Sequence, residues 1–175
     1  MRRAKAIFDE VRAAQAQLGV GEPEESLQRA AVLRSEAEEM LRSHHELTSF
    51  DRDHLRAAFT YATLTMVLAT AESEAPLRSV PRIRELAGEV VAAHGPGMET
   101  WKVLAAAAEM LARAGDAPGA VWAIKKARQL GDGGTYLVQV AGGIQSMYPQ
   151  VYAGSPDEPS SEPPPLPEPR RGSQR

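Results

Sequence analysis

Apolar residues along the chain recur at spacings of three and four, the period of an α-helix, and nowhere alternate in the period of two that marks a strand. Ile7, Phe8, Val11 and Leu18 form a first stripe, closed by Gly19 and Gly21 ahead of Pro23. A second runs from about Glu24 to His45 through Leu27, Ala30, Leu33, Ala37, Met40 and Leu41. Its Glu24 and Glu25 put negative charge at the positive end of the helix dipole. Thr48, Ser49 and Asp51 are N-cap residue types, so a third helix begins there. It carries Leu55, Phe59, Ala62, Met66 and Ala69 on one side and Leu64 and Leu68 on another, which predicts a central position. Pro76 and Pro81 predict a break, because an internal proline removes a donor and clashes with the preceding turn. Further helices follow from Ile83 to His94, Met98 to Ala114, Ala117 to Leu130 and Thr135 to Met147. The expected fold is all-α, about seven helices, with short connections that favour antiparallel hairpins.

Composition divides this pattern. The 175 residues are the size of one domain, yet seven of the 13 prolines fall in residues 153–175. That stretch has no aromatic residue and one large aliphatic, Leu166, so it cannot bury enough surface to offset the entropy of ordering. The expectation is N-terminal helices over 1–50, a helical domain over 51–152 and a disordered Pro-rich tail over 153–175. The run from Pro163 to Pro167 favours polyproline II. It lacks the common Pro-x-x-Pro-x-Arg spacing, since Glu168 stands where Arg170 would need a proline.

Charge and cysteine content exclude whole classes of function. With 20 Lys and Arg against 23 Asp and Glu, the net charge is −3. A broad nucleic-acid surface needs a clustered basic excess; a nucleic-acid-binding accessory protein using Arg2, Arg3 and Lys5 is a third reading, opposed by the overall acidity. No cysteine is present, which excludes disulfides and thiolate zinc sites. The uncharged stretches from Ala57 to Ala71 and from Gly133 to Pro156 are too short or too polar to span a membrane. Asp9, Glu10 and Arg12 interrupt any early apolar run of the kind a secretion signal needs, and the expected location is cytoplasmic.

One stretch carries more than amphipathicity. In residues 104–127, Ala108, Ala120 and Ala127 allow two antiparallel helices to approach closely, while Leu104, Leu111 and Ile124 fill the space between them. Gly115 supplies a turn residue free to take positive φ, and Asp116 a cap for the next helix. The hairpin resembles a tetratricopeptide repeat. Leu104, Ala107, Ala108 and Leu111 stand at the family's first-helix positions, and Ala120, Ile124 and Ala127 at those of its second helix. No aromatic fills the bulky positions, and Asp132 stands where the family has proline. One period of about 34 residues upstream, Leu86, Val90 and Ala93 echo the second helix, but no first helix is echoed. The likeness is clearest over residues 101–148. It implies a non-enzymatic module that binds a protein or peptide in a helical groove. The first-helix wall would bear Lys102, Ala105, Glu109 and Ala112 with Arg113 beside it, and Tyr136 and Gln139 would come from the closing helix. Glu109 and Arg113, four apart, could equally form a solvated pair. Trp122 points away from its partner helix and reads either as an interface anchor or as packing on the closing or N-terminal helices. Short arrays leave open end faces, so self-association is a further expectation.

Other chemistry is sparse. His44, His45, Asp51, Asp53 and His54 offer imidazole and carboxylate ligands, and a small metal-dependent helical enzyme is the alternative reading. Against it, adjacent histidines on a helix point about 100° apart. No nucleophile elbow or phosphate-binding loop is present, and no cofactor is expected. Residues 131–134 read as a flexible connection. Gly142 and Gly143, each costing ~1 kcal/mol against alanine within a helix, are expected to mark close backbone packing or a kink.

Overall fold

The structure is a computed structural model that describes residues 2–43, 46–131 and 133–166. Among the described residues it contains eight helices and no strand. They are α1 (Arg2–Ala16), α2 (Pro23–Ser43), α3 (Ser49–Ser73), α4 (Pro76–Ala92), α5 (Thr100–Arg113), α6 (Ala117–Leu130), α7 (Gly134–Met147) and α8 (Pro149–Gly154). None of them is long and apolar enough to cross a membrane.

The central helix is α3, as its girth of apolar residues predicts, and it touches α1, α2, α4 and α5. Thr48 caps it by accepting a hydrogen bond from the Asp51 backbone N–H at 3.1 Å. Three of its four buried threonines satisfy themselves against their own helix. Thr60, Thr63 and Thr65 donate to the carbonyls of Arg56, Phe59 and Tyr61 at 3.0, 2.8 and 2.8 Å. No hydroxyl among these three is left to oppose burial, and Ile7, Val11, Leu33 and Val67 pack in one continuous core with Leu104 and Ile124.

The break placed between Pro76 and Pro81 is confined to the two residues before Pro76. Pro76 opens α4 at a position whose N–H would have no helical partner anyway, and Pro81 lies inside the helix. The chain therefore turns directly from α3 into α4, and α4 packs on both α3 and α5.

Adjacent helices pack as antiparallel hairpins, most extensively α5 with α6 in the C-terminal half. Leu104, Ala108, Leu111, Ala120, Ile124 and Ala127 are all completely buried there. The turn is built as its residues require. Gly115 takes φ +80°, and the Asp116 carboxylate accepts from the Gly119 N–H at 3.4 Å. The same carboxylate pairs with Arg84 of α4, Nε to Oδ2 at 2.7 Å with a second bond from Nη2, and both side chains are buried.

The short helix α8 and the segment after it change the expectation for the tail. Residues 155–166 are neither helix nor strand, but they are seated on α6 and α4. The boundary of packed structure thus moves from 152 to 166. Four carbonyls in this strap accept hydrogen bonds from the folded body, contacts that a count of apolar residues does not register. Residues 167–175 lie outside the described residues.

Candidate functional site

Helices α5 and α7 face each other across a cleft of about 310 Å³. Glu109 and Arg113 project from α5, Tyr136 and Gln139 from α7, and Val140, Ile144 and Met147 supply apolar lining. One end is tied by the Tyr148 hydroxyl, which donates to the Ala112 carbonyl at 2.9 Å. Burial first, and then the charge of Glu109, push the Tyr136 phenol above its ordinary pKa. The cleft thus sets a carboxylate, a guanidinium, a phenol and an amide around an apolar floor. Those groups offer hydrogen-bond donors and acceptors around the apolar lining.

Four of the six residues expected on a partner surface, Glu109, Arg113, Tyr136 and Gln139, line this one cleft. The other two are elsewhere. Lys102 lies toward the start of α5, where its Nζ donates to the Tyr61 hydroxyl at 2.8 Å and pairs with Glu99 at 2.8 Å. Burial alone would lower its pKa, but the hydrogen bonds to Glu99 and Tyr61 hold it above the ordinary lysine value. Lys102 is therefore a strut between α3 and α5. Trp122 is 5% exposed and lies under the strap, with Nε1 donating to the Ser160 carbonyl at 3.0 Å. The segment that covers it is neither the closing helix nor the N-terminal helices, but the chain's own tail. The wall positions Ala105 and Ala112 are buried.

No protein-family model matches this chain, and neither a curated protein nor a solved structure does.

The alternative metal cluster does not assemble among the described residues. No group of three or more His, Asp or Glu there is placed to hold an ion. Asp51 accepts from Thr48 Oγ1 at 2.7 Å, Asp53 is exposed near Arg56 at 3.8 Å, and His54 Nδ1 bonds the Phe50 carbonyl at 2.8 Å. The His54 ring also meets Phe8 edge to face and lies tilted against Phe50. His44 and His45 lie outside the described residues. Of the basic N-terminal residues, Arg3 pairs with Glu36 and Glu10, and Lys5 pairs with Asp9.

Two glycine readings change. The connection after α6 is shaped by Trp101, whose indole lies against Gly131 and Gly133; a Cβ on Gly133 would stand 2.8 Å from the ring. Asp132 lies outside the described residues. Gly142 and Gly143, by contrast, face open space, with nothing within 4 Å of where a Cβ would stand. Close backbone packing is not their reason, and Gly143 instead forms part of the cleft wall.

The sequence reading missed the cations beneath the strap. Lys125 and Lys126 are both buried, as is Arg84. Their signal was available: two adjacent lysines interrupt the stretch from Ala120 to Ala127, on a helix that otherwise buries every neighbour.

Proposed function

We propose that the protein is a non-enzymatic interaction module that binds a protein or peptide in the cleft between α5 and α7. The supporting observation is that Glu109, Arg113, Tyr136 and Gln139, which the sequence pattern groups on one wall and its closing helix, share one solvent-open cleft with an apolar floor. That chemistry suits an extended or helical peptide, with apolar side chains seated on Val140 and Ile144 and polar groups met at the rim. A tetratricopeptide-like hairpin at α5 and α6, closed by α7, is the finer architectural reading. It rests on the spacing of Leu104, Ala108, Leu111, Ala120, Ile124 and Ala127.

Site-specific photo-cross-linking tests the reading. A photoreactive residue at Gln139 is expected to yield a discrete adduct in cell extract, and the same group at Val20, exposed between α1 and α2 and no part of the cleft, is not. The adduct should disappear when Tyr136→Ala and Arg113→Glu are introduced. Adducts of equal yield at both positions, or none at Gln139, overturn it.

A further inference from the structure

A second groove lies on the other side of the hairpin, between α4 and α6, and it is occupied. Residues 155–166 run along α6 from its C-terminal half toward its N-terminus. Lys125 Nζ donates to the Ser155 carbonyl at 2.7 Å, and Lys126 Nζ to that of Pro159 at 3.2 Å. The Trp122 indole donates to the Ser160 carbonyl at 3.0 Å, and Arg84, on α4, to that of Pro164. Pro159 is buried, and Pro163 packs on Gly88, where an added Cβ would come within 3.1 Å of its ring.

These contacts have a common chemistry. All four donors address main-chain carbonyls, the only hydrogen-bonding backbone group a proline offers. Gly88 leaves room for a proline ring, and Trp122 offers a rigid surface with a donor at its edge, the elements by which aromatic-lined grooves hold proline-rich chains. The groove is also cationic. Arg84 is balanced by Asp116, but among the described residues Lys125 has only Asp157 of the strap as an ion-pair partner, at 3.3 Å, and Lys126 has none. The strap answers with Asp157, Glu158 and Glu162, all on exposed positions. Burying two lysines on one helix is unfavourable unless they are well compensated, and departure of the strap returns them to water. The occupant is thus complementary and releasable.

We propose that the α4–α6 groove is a docking site for an extended, acidic, proline-rich segment of a partner protein, with residues 155–166 as the resident competitor. Tethering gives the strap a high effective concentration, so a free peptide meets a closed groove until the strap is displaced. The site is separate from the α5–α7 cleft, and each can fail without the other.

The test uses the full chain and a fluorescein-labelled peptide with the sequence of residues 155–166, read by anisotropy. A full-length variant with Asp157→Lys, Glu158→Lys and Glu162→Lys changes only exposed side chains, so its helical circular dichroism should match the wild type. The expected result is peptide binding at least about tenfold tighter to this variant than to the wild-type chain, weakening as salt is raised. Adding Trp122→Phe, which keeps a ring and removes the donor, should reduce that affinity several-fold. Equal affinity for the two chains overturns the proposal, whether the reversed strap stays seated or leaves, as does no binding to a variant that keeps its helical signal. A wild-type dimer that dissociates on charge reversal would make the occupant a second copy and overturn the assignment to a foreign partner.

Discussion

The two faces of the α5–α6 hairpin handle charge in opposite ways. Toward α7, Arg113, Tyr136 and Gln139 stand in solvent around an apolar floor. Toward α4 and the strap, Arg84, Lys125 and Lys126 are covered, each with its donors directed at a defined acceptor. On the open face, replacing a side chain alters what can be met there. On the closed face it alters the fold, because a buried charge without its partner is far more costly than an exposed one.

The sharpest break of that comparison is at Arg84 and Asp116. Arg84→Met leaves the Asp116 carboxylate buried without its cation, and urea unfolding should show a loss of about 3–5 kcal/mol. Pairing it with Asp116→Leu should recover much of the loss, less the lost cap of α6, whereas Arg113→Met on the open face should lie within about 0.5 kcal/mol of wild type.

Next in size is a pair of identical substitutions with opposite signs. Gly131→Ala drives a methyl into the Trp101 indole and should destabilise by about 1–3 kcal/mol. Gly142→Ala enters open space within a helix and should stabilise by about 0.5–1 kcal/mol. Thermal melts of the two variants read both signs, and a loss at Gly142 would mean that the space there is not free.

Trp122→Phe should cost about 1 kcal/mol, since the Ser160 carbonyl loses its donor while most of the ring remains packed. Urea unfolding should read that loss in Trp122→Phe and a smaller one in Tyr136→Phe.

The smallest effect is at Tyr136, and its sign follows from linkage. Its phenol titrates above the ordinary value in the folded chain, so the folded state holds its proton where the unfolded state has begun to release it. Its contribution to stability is present below about pH 10 and declines as pH rises through the unfolded value. The difference in absorbance at 295 nm between wild type and Tyr136→Phe should show a step above the ordinary tyrosine range, and Glu109→Gln should shift that step partly back toward normal.

Much of the fold was legible from the chain. Seven of the eight helices follow from the three-and-four spacing, the start of α3 from Thr48 and the α5–α6 turn from Gly115 and Asp116. Pro81 misled because proline near the start of a helix sacrifices one bond, which the burial of Ile83, Leu86 and Val90 outweighs. The cleft residues were legible in part: spacing on α5 and α7 grouped four of them, but Lys102 was drawn toward α3 by Tyr61, which is distant in sequence, with Glu99 close beside it. The strap was hidden for a different reason. Nothing in residues 155–166 looks like a core, because its attachment is specified by the donors of α6 and α4.

A contact made to carbonyls is blind to spelling. Every amino acid presents the same oxygen, so at Ser155 and Ser160 the groove reads chain direction and spacing, and it constrains side-chain shape chiefly where Pro159 and Pro163 are enclosed. The remaining letters of the strap answer only to the charge of the groove, as Asp157 does for Lys125, and acidic segments of many spellings can hold the same seat.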